Sequence, residues 1–186
     1  MLAKLKDNTF MLDIGQSMID ILRTSDSLCK SFLSGLVEDQ NQQEMLLSTL
    51  IEGKDKLAQR HISRVIKYAM CKVKMLEKDD ILNSTAESVK VTIDGQEFDV
   101  DRPKSVALRF LDVLLAQLKH RAPKSFMTFD YFLELISTFA FYGPEDLVDS
   151  PLTDGLKFDR QGEAYKIGMT VFYQRDMIQV LGDFIL

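Results

Sequence analysis

Cysteine and histidine are the side chains of this sequence best suited to nucleophilic chemistry. The chain has two of each: Cys29, Cys71, His61 and His120. A thiol activated by an imidazole can attack a carbonyl carbon, and sequence spacing alone leaves such a pair open because the partners need only meet in the fold. Both cysteines fall within apolar helical patterns, where buried thiols are normally inert. We therefore expect structural roles for all four residues and no catalytic residue.

Metal and phosphate sites have recognisable spacings, and the sequence shows none of the common ones. It has no C-x-x-C and no H-E-x-x-H, and "DGQEFDVD" lacks the acidic and glycine spacing of an EF-hand loop. The glycines and acids of "DGLKFDRQGEAYKIG" do not match a phosphate-binding loop. We expect no metal ion and no cofactor.

A row of basic residues is the most suggestive binding feature. These candidate partner-binding residues lie along the fourth predicted helix, at Arg60, Arg64, Lys67 and Lys74. They could meet an acidic protein surface or RNA phosphates, but acidic residues flank the row, so a solvated outer face is the favoured interpretation. A formal charge of −5 and a pI near 5.1 also argue against nucleic acid as a partner.

Length and composition indicate one globular domain spanning residues 1–186. Apolar residues make up 46% of the chain and charged residues 27%, which is not a disordered composition. We find no signal peptide and no apolar run of the roughly 18 residues that a membrane span needs. We therefore expect reduced thiols and a cytoplasmic location, with the nucleus as an alternative. The uncapped apolar ending "GDFIL" predicts a fragment of a longer protein.

Apolar residues at helical spacing predict about seven helices. The first four begin near Asn8 and Ser25 and span roughly 44–52 and 55–77, and three more begin near Pro103, near Ser125 and within "YQRDMIQVLGDFIL". Residues 145–168 are rich in proline, glycine and acids, which predicts a loop or insertion. The fifth helix, "KSVALRFLDVLLAQLKHR", is apolar on nearly all sides, so we expect it to lie between other helices.

One stretch, "VKVTIDGQEFDV" at residues 89–100, has strand character. Asp94-Gly95 is a strong signal for a two-residue hairpin turn, and alternation puts Val89, Val91 and Ile93 on one face. Two strands alone are marginally stable, so we expect this apolar face to pack on the helices. Capture of a partner by strand addition is the alternative.

The predicted fold is therefore all-α with one small hairpin insertion. A closed bundle and an armadillo- or HEAT-like stack of helical hairpins both fit seven helices joined by short connections. The nearly all-apolar fifth helix and the uncapped ending favour the stack, because each layer of a stack needs a neighbour to cover it.

A family resemblance covers part of the chain. The segment "SVALRFLDVLLAQLKHRAPKSFMTFDYFLELISTFAFYGPE", continued by "YQRDMIQVLGDFIL", resembles the helical region that follows the catalytic domain in large fat-facets-type ubiquitin-specific proteases. The matching pieces are Arg109-Phe110 with Leu114-Leu115, then Phe129 to Leu133, Gly143 to Glu145, and Leu181 to Leu186. The long connection between Glu145 and Tyr173 departs from the family pattern.

This resemblance implies a parent protein that is a thiol-dependent ubiquitin hydrolase. Nothing here resembles that family's cysteine and histidine boxes, so the chain itself is expected to be a non-catalytic armadillo-like scaffold. Its partners would be proteins of the ubiquitin system or other domains of the same polypeptide, and not a membrane. An independent helical-repeat adaptor that binds nucleic acid through the basic helix is the alternative. A small enzyme using Cys71 or Cys29 with His61 is a third reading.

Overall fold

The computed structural model describes residues 8–45, 56–121, 126–148 and 159–182. Over these ranges the chain is mostly helical with one two-stranded antiparallel hairpin, as the sequence predicts. The elements are α1 (Asn8–Thr24), α2 (Asp26–Glu38), α3 (Lys56–Leu76), α4 (Lys78–Leu82), β1 (Ala86–Ile93), β2 (Gln96–Pro103), α5 (Val106–Arg121), α6 (Phe126–Phe141), α7 (Pro144–Val148), α8 (Glu163–Gln174) and α9 (Met177–Gly182).

The long helix α3 forms the centre of the fold. It contacts α1 and α2 from the start of the chain, and α4, α5, α6, α7 and α8 from the rest. Its apolar positions recur at helical spacing and are buried, at Val65, Ile66, Ala69, Met70 and Val73. One helix therefore supplies a core face to most of the other helices.

Helix α5 lies between other helices, which confirms the prediction made from its apolar surface. It contacts α2, α3 and α6 and also the base of β2. The buried residues lie on several sides of the helix: Val106, Ala107, Leu108, Phe110, Leu111, Leu114 and Leu118. A helix buried on several sides is held firmly, so it is a rigid support for the hairpin that precedes it.

Helices α6 and α8 approach each other very closely at Gly168. A Cβ atom placed on Gly168 would lie 2.1 Å from the carbonyl oxygen of Ala140. Both Gly168 and Ala140 are buried. Only glycine allows the two backbones to approach this closely.

Several predicted boundaries differ from the structure. The hairpin covers residues 86–103 rather than 89–100. The segment 145–168, predicted as a loop or insertion, is helical at both ends, over residues 144–148 and from residue 163 onward, and residues 149–158 lie outside the described ranges. Of the third predicted helix, residues 44–45 are helical, as are residues 40–43 before them, and the remainder lies outside the described residues.

Candidate interaction surface

The basic row of α3 does not form a free surface. Arg60 is exposed, but Arg64 Nη2 donates to the carbonyl oxygen of Val148 at 3.1 Å. Lys67 is paired with Glu134 of α6, and only 12% of its side chain is exposed. Arg64 and Lys67 therefore make contacts within the molecule, and these contacts join α3 to α7 and to α6.

Lys74 is fully buried, so its assignment to a partner-binding face is wrong. Its Nζ donates to the carbonyl oxygens of Phe139 at 2.6 Å, Tyr142 at 2.9 Å and Ala164 at 3.0 Å. Phe139 and Tyr142 lie at the C-terminal end of α6, where carbonyls lack helical partners and a cation is favoured. Burial lowers the pKa of the Lys74 ammonium below its usual value. This lysine joins the end of α6 to the start of α8.

The sequence does carry a signal for the burial of Lys74. It lies four residues after Met70 and eight after Ile66, which places all three on one face of α3. That face is the buried one, since Met70 and Ile66 are 0% and 1% exposed. A lysine at apolar spacing therefore indicates a buried cation that needs carbonyl or carboxylate partners.

Neither thiol is a nucleophile in this structure. Cys29 and Cys71 are both fully buried, and their Sγ atoms donate to the carbonyl oxygens of Ala69 and Thr138, each at 3.7 Å. Burial raises the pKa of both thiols to about 11, so the reactive thiolate is scarce at neutral pH. A Cys–His enzyme is therefore not supported.

Of the two histidine side chains, the structure describes that of His61. His61 is buried in α3. A Cβ atom added to Gly15 of α1 would lie only 2.6 Å from Nδ1 of the His61 ring. Gly15 therefore gives α1 room to pack against the imidazole. The side chain of His120 lies outside the described part of the chain.

The hairpin is exposed over most of its length. Its strands pair in register from Ala86 with Pro103 to Ile93 with Gln96, and a two-residue turn joins them. Asp94 and Gly95 have φ values of 50° and 80°, as a type I′ turn requires. All residues from Lys90 to Asp101 are exposed, so the ribbon projects into solvent.

The two faces of the ribbon differ in chemistry. The register puts one apolar set on the same face, and its strongly exposed members are Val91, Ile93, Phe98 and Val100, at 37%, 55%, 46% and 43%. The opposite face carries charged and polar residues at Lys90, Thr92, Glu97, Asp99 and Asp101. The expectation that the apolar face packs on the helices is therefore wrong, because Val91, Ile93 and Phe98 are exposed.

The edges of the ribbon follow from the same register. An antiparallel ladder alternates hydrogen-bonded and non-hydrogen-bonded pairs, and Lys104 N donates to Thr85 O at 2.9 Å in continuation of the ladder. Every second residue pair along the ladder is of the same type as Thr85–Lys104, so Val89–Val100 and Val91–Phe98 are also hydrogen-bonded pairs. The residues that alternate with Phe98 and Val100 in β2 are Glu97, Asp99 and Asp101. Their backbone N–H and C=O groups point away from β1, toward the open edge of the sheet. In the described residues the sheet has no third strand.

A cluster of charges holds the base of the hairpin on the helices. Glu87 Oε1 of β1 accepts from Arg102 Nε of β2 at 2.8 Å and from Arg109 Nη1 of α5 at 3.1 Å. Oε1 of Glu38, at the end of α2, lies 3.4 Å from Arg109 Nη1 and 3.7 Å from Arg102 Nη2. The cluster joins α2, both strands and α5, and Arg109 is only 10% exposed, so it is shielded from solvent more than a surface pair.

A buried carboxylate completes the anchor. Glu77 Oε2 accepts from Ser105 Oγ at 2.8 Å and from Ala107 N at 3.2 Å, and Ser105 Oγ accepts from Leu108 N at 3.2 Å. Ser105 thus caps α5, and the carboxylate of Glu77 lies at the positive end of that helix. Lys30 pairs with the other oxygen of Glu77 at 3.3 Å. The chain is fixed at the point where the hairpin ends, and this leaves the apolar tip exposed on a rigid base.

Among the described residues no three His, Cys, Asp or Glu side chains cluster as metal ligands would. No described helix is long and apolar enough to cross a membrane. Comparisons with models of known families, with curated proteins and with solved structures gave no match.

Proposed function

We propose that this chain is a non-catalytic helical scaffold that acts through protein contacts, with the hairpin as its main contact surface. The observation that carries the proposal is the exposed apolar face of an anchored ribbon, with Ile93 55% and Phe98 46% exposed. Exposed apolar residues that form a continuous face on a rigid support are typical of interaction sites.

We further propose that the parent protein is a large deubiquitinase and that its helices stack as in armadillo proteins. The parentage rests on the resemblance of residues 105–145 and 173–186 alone. Exposed apolar residues one turn apart in α1, Met18 at 41% and Ile21 at 54%, favour a neighbouring helical layer. A cysteine box and a histidine box in the full-length sequence upstream would support this parentage, and their absence would contradict it. The expected partners belong to the ubiquitin system, and the expected location is cytoplasmic or nuclear.

The alternative of a nucleic-acid adaptor has less support. Three of its four basic residues make contacts within the molecule, and Lys74 cannot reach a partner at all. Nucleic-acid affinity depends on several exposed cations acting together. We expect no salt-dependent binding of single-stranded RNA to the purified chain.

Site-specific cross-linking tests the interaction surface. A photoreactive amino acid replaces Val91 on the apolar face or Thr92, its neighbour on the opposite face, in the chain expressed in cells. We expect a discrete protein adduct from position 91 and much less from position 92. The cross-linked protein, once purified, should bind the chain more weakly after Phe98→Thr and equally well after Thr92→Ala. Equal cross-linking at the two positions, or none at either, would contradict the proposal.

The absence of catalysis is tested directly on the same purified chain. Incubation with ubiquitin conjugates should release no ubiquitin, and ubiquitin carrying a thiol-reactive group at its C-terminus should form no adduct, because Cys29 and Cys71 are fully buried. A covalent adduct on either cysteine would overturn the non-catalytic assignment.

A further inference from the structure

We propose that the outer edge of β2 accepts an extended segment of a partner protein as a third strand, and that this segment alternates basic and apolar residues. The inference rests on the proposed function, since it names the chemistry of the partner that the hairpin would contact. Strand addition needs an open edge, an apolar face to extend and a reason to select one partner. The hairpin supplies all three.

The open edge is the exposed half of β2. Residues 96–101 are all exposed, and the backbone groups of Glu97, Asp99 and Asp101 point away from β1. Three residues of this kind offer three N–H donors and three C=O acceptors to a strand lying beside them. An isolated two-stranded ribbon is marginally stable in water, so a third strand also adds to its stability.

The side chains of β2 determine which strand would fit. Glu97, Asp99 and Asp101 lie on one face at alternate positions, and Phe98 and Val100 lie between them on the other face. Glu97 is also paired with Lys90 of β1, at 3.1 Å, so Asp99 and Asp101 contribute most of the selection for a basic partner. Residues directly opposite on neighbouring strands have their Cβ atoms about 5 Å apart, close enough for charged and apolar pairs to form. A partner with basic residues opposite the acids and apolar residues opposite Phe98 and Val100 satisfies both faces together.

A second copy of this chain is a poor occupant of the same edge. If two β2 strands paired antiparallel, their outward-directed residues would lie opposite one another, and each of these is Glu97, Asp99 or Asp101. Like charges directly opposite are destabilising. The acids therefore prevent self-pairing of the edge, a recurrent need of exposed edge strands, and leave it open to a basic partner.

The edge of β1 lacks this selectivity. Its outward-directed residues are Ser88, Lys90 and Thr92, with a single charge, and that lysine is already paired with Glu97 at 3.1 Å. A lysine in the middle of an edge strand is a common device against strand addition. We therefore assign the partner to β2 and use the edge of β1 as the internal control.

Peptide binding to the full chain tests the proposal. The probe is a fluorescent synthetic peptide in which lysines and valines alternate, and its affinity is measured by anisotropy. Two control peptides have the same lysines grouped in one block, or glutamates in place of the lysines. We expect binding in the micromolar range for the alternating peptide and at least about 10-fold weaker binding for both controls, since several pairs are lost together.

Proline substitutions test the edge itself. Asp99→Pro removes an outward N–H of β2 and leaves the β1–β2 ladder intact, because proline is tolerated where an edge N–H faces solvent. Thr92→Pro makes the same change on β1, and Asp99→Asn removes only the charge. We expect Asp99→Pro to weaken the binding of the alternating peptide more than Asp99→Asn does. We expect Thr92→Pro to leave the affinity for this peptide unchanged. Circular dichroism and melting temperature confirm that each variant folds.

The result that overturns the proposal is equally specific. Equal losses from Thr92→Pro and Asp99→Pro, equal binding of the blocked and alternating peptides, or no binding of either peptide would each exclude strand addition at β2. The proposed function is tested separately, because cross-linking from position 91 does not depend on the edge. Cross-linking without peptide binding would retain the interaction surface and reject the third strand.

Discussion

Replacement of Gly168 by alanine tests whether α6 and α8 touch through their backbones. A Cβ at this position would lie 2.1 Å from the carbonyl oxygen of Ala140 and 2.6 Å from its carbonyl carbon. Ordinary contacts between such atoms are about 3.5 Å, so the helices must separate by about 1 Å. No rotamer change relieves the overlap, because the atoms that Cβ meets belong to the backbone.

Two opposing effects set the size of the change in stability. Glycine to alanine inside a helix favours folding by about 1 kcal/mol when nothing obstructs the new methyl group. Overpacking a well-filled core costs about 1–3 kcal/mol, and a backbone overlap belongs at the upper end of that range. We therefore expect Gly168→Ala to lower the free energy of unfolding by about 2 kcal/mol.

Thermal unfolding followed by far-ultraviolet circular dichroism measures this effect. For a chain of this size 2 kcal/mol corresponds to a fall of about 4–8 °C in melting temperature. Gly182→Ala is the matched control, since no atom lies within 4 Å of the added Cβ in α9, and its melting temperature should stay the same or rise. A melting temperature for Gly168→Ala equal to or above that of the unsubstituted chain would refute the close approach of α6 and α8.

Two further predictions concern the buried polar groups. Lys74→Met should lower the free energy of unfolding by about 3 kcal/mol, because the buried carbonyls that accept from its ammonium lose a charged donor. Lys78→Met, at an exposed pair with Glu163, should leave the free energy of unfolding nearly unchanged. Urea titration measures both effects, and equal effects would contradict the role of Lys74. The thiol pKa values are raised in the folded chain from 9.0 to about 11, so the stability that the neutral thiols contribute is complete below pH 9 and is lost as pH rises to about 11. Replacing Cys29 and Cys71 by alanine should flatten this decline, and an unchanged pH dependence would show that the thiols are not its source.

The architecture of the hairpin was predictable from sequence, apart from its length. Asp94-Gly95 specifies a turn with positive φ at both central residues, and strand alternation sets the register from there. The structure extends the strands to Ala86 and Pro103, since the ladder continues until α5 begins. Proline at an outward-facing edge position ends the strand without breaking a ladder hydrogen bond.

The exposure of the hairpin was not predictable in the same way. Alternation shows that Val91, Ile93 and Phe98 share a face, but it carries no information about what covers that face. The direction of the ribbon is set by the Glu38–Glu87–Arg102–Arg109 cluster, whose members lie far apart in sequence.

The features that could be predicted from sequence are local: most of the helices, the turn, the strand pairing and the nearly all-round apolar character of α5. These follow from periodicity and backbone preference, which act between residues a few positions apart. Three features required the folded molecule: the carbonyl partners of Lys74, the close approach of the Ala140 backbone to Gly168, and the exposure of the apolar face of the hairpin. Each of these depends on contacts between distant segments, and burial is a property of the folded molecule as a whole.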